Sequence, residues 1–294
     1  MTDERQAGGG EQRAGKRTRA VGGIGSLIFY AAFAVVMILL FLHVLFPAPA
    51  VVDFLIEKLK ESRPDIMLSY GSARLVFPPA LSLADLQGGI VSLPGSRCRA
   101  EKATMRPLVG ALIRGDLLLE NNIRALGGVV DVRVDLPLKR SSSGLFGLEG
   151  TCAAIDLAAC DLLRSVTGRE IAGILDGTFS FRGSSRDLKE GGGKASFVVR
   201  NGAVKLMKEM IGFDRVAFDA LEAEIRLEEG RILVDRCVLR GRQIKGSLTG
   251  AVRIGRAMDD SGLALKGRLE LPLMGRSMNV VIAGTVNNPL VRFR

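Results

Sequence analysis

Tryptophan is absent from this 294-residue chain, tyrosine occurs twice, and aromatic residues make up only 5% of it. Proteins that hold single-stranded nucleic acid stack bases on Phe, Tyr or Trp set beside Arg or Lys. Here the basic residues are scattered and are not interleaved with aromatics, and no helix-turn-helix, zinc-finger or RNP pattern occurs. The net charge of +10 therefore points to anionic lipid headgroups or acidic protein partners. No nucleic-acid partner is expected.

Histidine is almost as scarce. The single one, His43, lies near the far end of a long apolar run, where it reads as an interfacial residue whose polar end reaches the headgroups. Everything after it has none, which removes Ser-His-Asp, Cys-His and histidine-based metal sites from that part. H-E-x-x-H, P-loop and G-x-S-x-G signatures are also missing. Gly147–Gly150 and Gly191–Gly193 are too short to cradle phosphate. The acidic pairs Glu228/Glu229, Asp259/Asp260 and Asp131/Asp135 read as solvated side chains, without the motif that general acid/base work needs. No catalytic residue, cofactor-binding residue or metal ligand is assigned, and the chain is not expected to be an enzyme.

Four cysteines occur, Cys98, Cys152, Cys160 and Cys237, with no C-x-x-C pair. A zinc ribbon or thioredoxin-type site is thereby excluded. Cys152 and Cys160 flank or sit in one predicted helix about two turns apart, too far for a direct disulfide. They read as small buried hydrophobes. In an oxidising compartment Cys98 has other cysteines to pair with, and the sequence does not choose among them.

Charge is missing altogether between Arg19 and Asp53. Within that interval Val21 to Phe46 exceeds the ~20 residues that cross a ~30 Å hydrocarbon core, and it carries no polar stripe. Pro47 and Pro49 stop the helix. Arg13, Lys16, Arg17 and Arg19 precede it, which holds the N-terminus in the cytoplasm and the rest of the chain outside. A cleaved signal peptide is the rival reading, with Ala48-Pro49-Ala50 as the cleavage site. The run is too long for an h-region, however, and proline is a poor cleavage context. The expectation is an uncleaved single-pass anchor at 21–46, touching the bilayer. A disordered cytoplasmic tail at 1–20 precedes it.

Beyond the anchor the periodicity changes twice. Val52, Leu55, Ile56 and Leu59 mark a short amphipathic helix at 47–62. From residue 63 to 294 short apolar runs alternate with polar residues. Val130, Val132, Val134 and Leu136 alternate with Asp131, Arg133 and Asp135. A Ser/Gly-rich stretch near 139–150 reads as a loop or sub-boundary, and a helix is predicted over 153–167, ended by Gly168. Asn201-Gly202 and Glu229-Gly230 read as hairpin turns. Strands recur every ~10–20 residues, the mark of an antiparallel meander. The fold class expected is mainly β with a few helices, an N-terminal transmembrane helix leading into an elongated, curved antiparallel sheet.

One sheet face would carry Phe179, Phe181, Leu248, Val252, Leu263, Leu265, Leu269 and Leu271. These are candidate groove-lining residues or an ordinary core, since alternation alone produces such a face. Helix 153–167 or bulky side chains would close it. Otherwise it would stay open as an apolar groove.

Several stretches in order carry a family resemblance. They are the basic tail and single anchor followed by VVDFLIEKL, then LVFPPALSLADL (Leu75 to Leu86) and LDGTFSF (Leu175 to Phe181). FVVRNGAVKL (Phe197 to Leu206) and the terminal AGTVNNPLVRF (Ala283 to Phe293) complete the set. The chain resembles the type II secretion system protein N family, which belongs with AsmA-like, membrane-anchored β proteins. The resemblance implies a non-catalytic accessory or scaffold subunit of the cell inner membrane. Most of such a chain is periplasmic and meets other inner-membrane secretion subunits. AsmA-like relatives imply an alternative, a β-groove that shields lipid acyl chains.

Overall fold

The computed structural model describes residues 22–45, 47–76, 80–91, 95–137, 145–184, 191–210, 213–255, 261–272, 275–286 and 288–293. Side chains at 22–24, 39, 42–44, 112–114, 137, 166–167, 206–210 and 213–214 are outside that description. The predicted tail at 1–20, the Pro78-Pro79 break and the side chain of His43 therefore lie outside the described residues.

The chain divides into two compact units, 1–46 and 47–294. In the first, Gly22–Leu45 forms a 24-residue helix, α1. Apart from half-buried Met37, its described large side chains are exposed on every face, from Leu27 through Phe33 and Val36 to Leu45. Among the described residues, no helix is long and apolar enough to cross a membrane.

The second unit is mainly β. It opens with α2 (Ala48–Ser62), which begins at Pro47 and has Pro49 in its first turn, where a missing N–H costs nothing. Ala48 and Val52 are buried, Ile56 and Leu59 are half-buried, and Leu55 stays exposed. This stripe packs on β1 (Ile66–Ser69) and β2 (Ser72–Val76). The Tyr70 hydroxyl between those strands donates to Asp53 Oδ1 at 2.7 Å, and it lies 3.2 Å from the Pro49 carbonyl.

The remaining strands follow in chain order: β3 (Ala80–Ile90), β4 (Cys98–Pro107), β5 (Asp116–Ala125), β6 (Gly128–Pro137), β7 (Leu145–Asp156) and β8 (Ile171–Ser184). Then come β9 (Gly192–Met210), β10 (Phe213–Glu228), β11 (Arg231–Arg240), β12 (Lys245–Arg253), β13 (Gly262–Leu271), β14 (Arg276–Thr285) and β15 (Pro289–Phe293). A short helix, α3 (Val109–Arg114), links β4 to β5, and a 3-10 turn (Leu157–Ala159) with α4 (Asp161–Thr167) links β7 to β8. All fifteen strands form one antiparallel sheet. From β3 to β15 each strand pairs with its chain neighbour, while β1 and β2 share the outer side of β3.

Three sequence expectations change. The predicted helix over 153–167 is shorter, because β7 runs on to Asp156 beside β8 and only 161–167 is α-helical. Gly168 does end it, at φ 64°. The loop read at 139–150 is strand from Leu145 onward. Asn201-Gly202 is not a hairpin turn: β9 runs straight through it, and Asn201 (φ 51°) sits where the register with β8 slips beside Gly173. Both sides of β9 find partner strands, so the left-handed residue is absorbed as a bulge. Glu229-Gly230 does turn β10 into β11, with positive φ at both residues, as a two-residue hairpin requires. Leu126-Gly127 makes the same turn between β5 and β6. There leucine gave no signal.

The sheet has two chemically distinct faces. One apolar row runs Phe179, Ala195, Ile225, Val234, Gly250, Leu265 and Ile282 through successive pairings. Glycine and bulky residues alternate across strands on this face. Gly150 lies opposite Phe179 and Gly177 opposite Phe197, and a Cβ on either glycine would overlap the facing ring. The bare backbone is the seat of the ring, a cross-strand pairing that compensates for glycine in a strand. Among the described residues no large side chain is fully buried. Among the described residues of the second unit, no helix or second sheet packs over this face.

Gly177→Val is therefore expected to displace Phe197 and destabilise the second unit by about 2 kcal/mol, while Thr178→Val on the exposed face should be near-neutral. Thermal melts of the full detergent-purified chain, followed by circular dichroism, test this, with a fall in midpoint of roughly 4–8 °C for the first variant alone.

Candidate functional site

The polar halves of the alternating strands line up across the sheet. One row runs Thr104, Asn122, Asp131, Thr151, Thr178, Ser196 and Glu224 from β4 to β10. Beside it runs Arg106, Glu120, Arg133, Glu149, Ser180, Lys194 and Arg226. Strands lie ~4.8 Å apart, so each row is a ladder of hydroxyl, amide and charged groups at that spacing.

A cavity of about 1170 Å³ opens over these rows. Residues of every strand from β4 to β11 line it, so the sheet bends around it. Val132, Gly150, Phe179, Ala195 and Ile225 form the floor between the two ladders.

Part of its charge is internally matched. Arg226 donates from Nε to Asp235 Oδ2 at 2.6 Å and from Nη2 to Oδ1 at 2.8 Å, and Nη1 donates to Glu228 at 2.9 Å. This fork reaches Asp235 because β10 and β11 slip register between Glu224 and Ile225, which turns the bulged Asp235 toward Arg226. Arg133 donates to Glu120 at 2.7 Å, and Asn122 Nδ2 to Asp131 at 2.6 Å. Hydrogen bonds from Arg226, aided by its charge, hold the Asp235 carboxyl below its usual range, and the Arg226 guanidinium is raised in turn. These pairs are partly exposed, so water screens them and they position more than they stabilise.

Toward β4 and β5 the balance changes. Lys102 stands directly opposite Arg124, with Arg106 further along β4. None of the three has an acidic partner within ion-pair distance among the described residues. Like charges directly opposite are mildly unfavourable. This end of the cavity is set for an anionic group. No cluster that could hold a metal ion occurs among the described residues.

The eight candidate groove residues all fall on the other, apolar face. Leu248 faces Gly267, Val252 faces Leu263, Leu265 faces Gly250 and Leu269 faces Gly246. Leu271 is buried and the other seven are half-buried. Of the eight, only Phe179 also reaches the cavity floor. The cavity is thus built from the polar partners of the residues singled out in the sequence. The signal for it was present in Asp131/Arg133 and Thr178/Ser180, which alternation alone marked as solvated.

The two edges differ. α2 packs on β1 and β2 at one of them. β15 pairs only with β14, and each of its residues is exposed, with Leu290 52%, Val291 43% and Phe293 44% accessible.

Asp235 contributes its pairing when ionised. Its folded-state carboxyl is depressed, so that contribution is complete above the ordinary value of 3.8 and fades as pH falls through the lower folded value. Melting temperatures of the native chain and Asp235→Asn should differ at pH 7, and the difference should shrink as pH falls below 3.8.

No family model matches the chain, and no curated protein or solved structure matches it either.

Proposed function

We propose that this chain is a non-catalytic accessory subunit of the type II protein secretion system, a membrane-anchored β scaffold for other inner-membrane subunits. In this proposal α1, within 21–46, is a single-pass anchor in the inner membrane. The N-terminus is cytoplasmic and the sheet is periplasmic. The charge-free interval from Arg19 to Asp53 and the cations before it support that orientation, as do the apolar side chains exposed on every face of α1.

The observation that carries the scaffold reading is the asymmetry of the edges. An exposed strand with unpaired backbone groups and large apolar side chains is a template for adding a strand from another chain. β15 has those properties along its whole length, and at the opposite edge α2 packs on β1 and β2. Lys266 and Arg292 share a face two strands apart, through Val281, and Arg268 neighbours Lys266. They would favour an acidic partner.

One observation favours a second reading. Among the described residues of the second unit, no helix or second sheet packs over the apolar face. An open apolar surface of this kind suits lipid acyl chains. The full chain, purified from its native membrane in mild detergent, separates the two by mass spectrometry of co-purifying proteins and lipids. Stoichiometric inner-membrane secretion subunits, lost on Val291→Pro, are expected. One or a few phospholipids per chain with no secretion subunit would sink the scaffold reading and support lipid handling.

A further inference from the structure

Cys98 opens β4, and Cys160 stands just before α4. Roughly 60 residues and three strands separate them in sequence, yet the fold brings them together. Arg97 and Asp161, the immediate neighbours of the two cysteines, line one depression, and the Cys160 thiol lies near enough to help raise the Cys98 thiol above its ordinary range. The flanking segments pack against each other as well. A Cβ on Gly95 would come 3.4 Å from Ser165 Oγ. A shallow depression between the two segments is lined by Gly95, Arg97, Asp161, Arg164, Ser165 and Gly168. Both thiols are free and half-buried. Cys152 is buried opposite Val130 and Gly177, and Cys237 lies opposite Ala223 and Leu248. Neither of those faces another cysteine across its strands.

We infer that Cys98 and Cys160 are a disulfide pair, closed by thiol–disulfide exchange, that staples the start of β4 to the β7–β8 connection. The balance is simple. The thiolate of one cysteine attacks a disulfide of the oxidant and forms a mixed disulfide. The second cysteine displaces the oxidant's remaining thiol. Two protons and two electrons leave the chain, and one oxidant disulfide becomes a dithiol or two thiols.

The sheet has reason to carry such a staple. Without a fully buried large side chain, its strands are held mainly by their immediate neighbours. A cross-link that skips from β4 to the far end of β7 constrains β5 and β6 between them, and the entropy removed from the unfolded chain grows with the loop enclosed. In the cell, supply of the oxidant rests on the periplasmic placement proposed above. The chemistry itself does not.

Burial first, and the Cys160 thiol next, hold Cys98 above the ordinary thiol range, so exchange through its thiolate quickens as pH rises. The full chain, reduced and purified in detergent, is equilibrated at about pH 8 with mixtures of oxidised and reduced glutathione, which here is the oxidant. Free thiols are then counted by maleimide mass-tagging, and peptides are mapped without reduction. Two of the four cysteines should lose their tag, a peptide joining Cys98 to Cys160 should appear, and the melting midpoint should rise by roughly 5–15 °C. Cys98→Ser should restore tagging at Cys160, and Cys152→Ala should change nothing. Four tagged cysteines at every glutathione ratio would overturn the pairing, as would a bridge that maps to Cys152 or Cys237. Mapping on the native chain decides the matter even if a serine variant fails to fold. The result is also independent of which proteins or lipids co-purify.

Discussion

Backbone pairing between chain neighbours is the constraint on which the rest of this structure depends. From β3 to β14 each strand hydrogen-bonds to the strand before it and the strand after it. Most globular domains close a layer of helices or a second sheet over the apolar face. Here, among the described residues of the second unit, no helix or second sheet packs over that face and no large side chain is fully buried. Stability then resembles that of a repeat protein, a sum of local terms between adjacent units. Cross-strand contacts must supply what a shared core would otherwise provide. The facing of Gly150 by Phe179 and of Gly177 by Phe197 fits this need, because a ring laid on bare backbone gains contact without help from an opposing layer.

The same constraint organises the polar face. With period-two alternation, apolar packing on one side commits the other side to whatever residues remain. In the middle of the sheet those residues are Thr, Ser, Asn and oppositely charged pairs, and in-register pairing turns them into continuous ladders. Where charges are matched, as in Arg226 with Asp235, the fork is set by a bulge in the strand pairing rather than by a loop. At β4 and β5 the match fails and Lys102 faces Arg124. Electrostatic asymmetry along the cavity is thus a property of strand register. A one-residue slip of β4 would move its cations to the apolar face.

Much of the strand content was legible because alternation is a local signal. Val130 to Leu136, Phe179 to Arg182 and Leu263 to Leu271 lie in strands with the faces expected of them. The hairpin at Glu229-Gly230 was legible because positive φ at both positions restricts the residues that suit it. Asn201-Gly202 carries the same local preference and yet became a bulge, since pairing on both sides of β9 outweighed a turn. Leu126 adopts positive φ without a residue-level clue, because strand register on either side imposes the turn. The polar cavity was hidden for a different reason. Each ladder draws one or two residues from each of many strands, so its members are distant in sequence and ordinary one at a time. The meeting of Cys98 with Cys160 was invisible on the same grounds.

These features bear together on what such a sheet can do. A single layer leaves three surfaces for contact: an apolar face, a polar face and the edges. A sheet held by nearest neighbours offers a long surface whose parts can be engaged separately. At the β1/β2 edge α2 packs on both strands, held there by the Tyr70–Asp53 hydrogen bond. β15, with Leu290, Val291 and Phe293 exposed, leaves the opposite side able to accept another strand. Strand addition there would extend both the apolar face and the basic C-terminal part of the polar face in register. Partner binding and lipid shielding would then act through one continuous surface, so a protein bound at β15 would lengthen the apolar face available to an acyl chain.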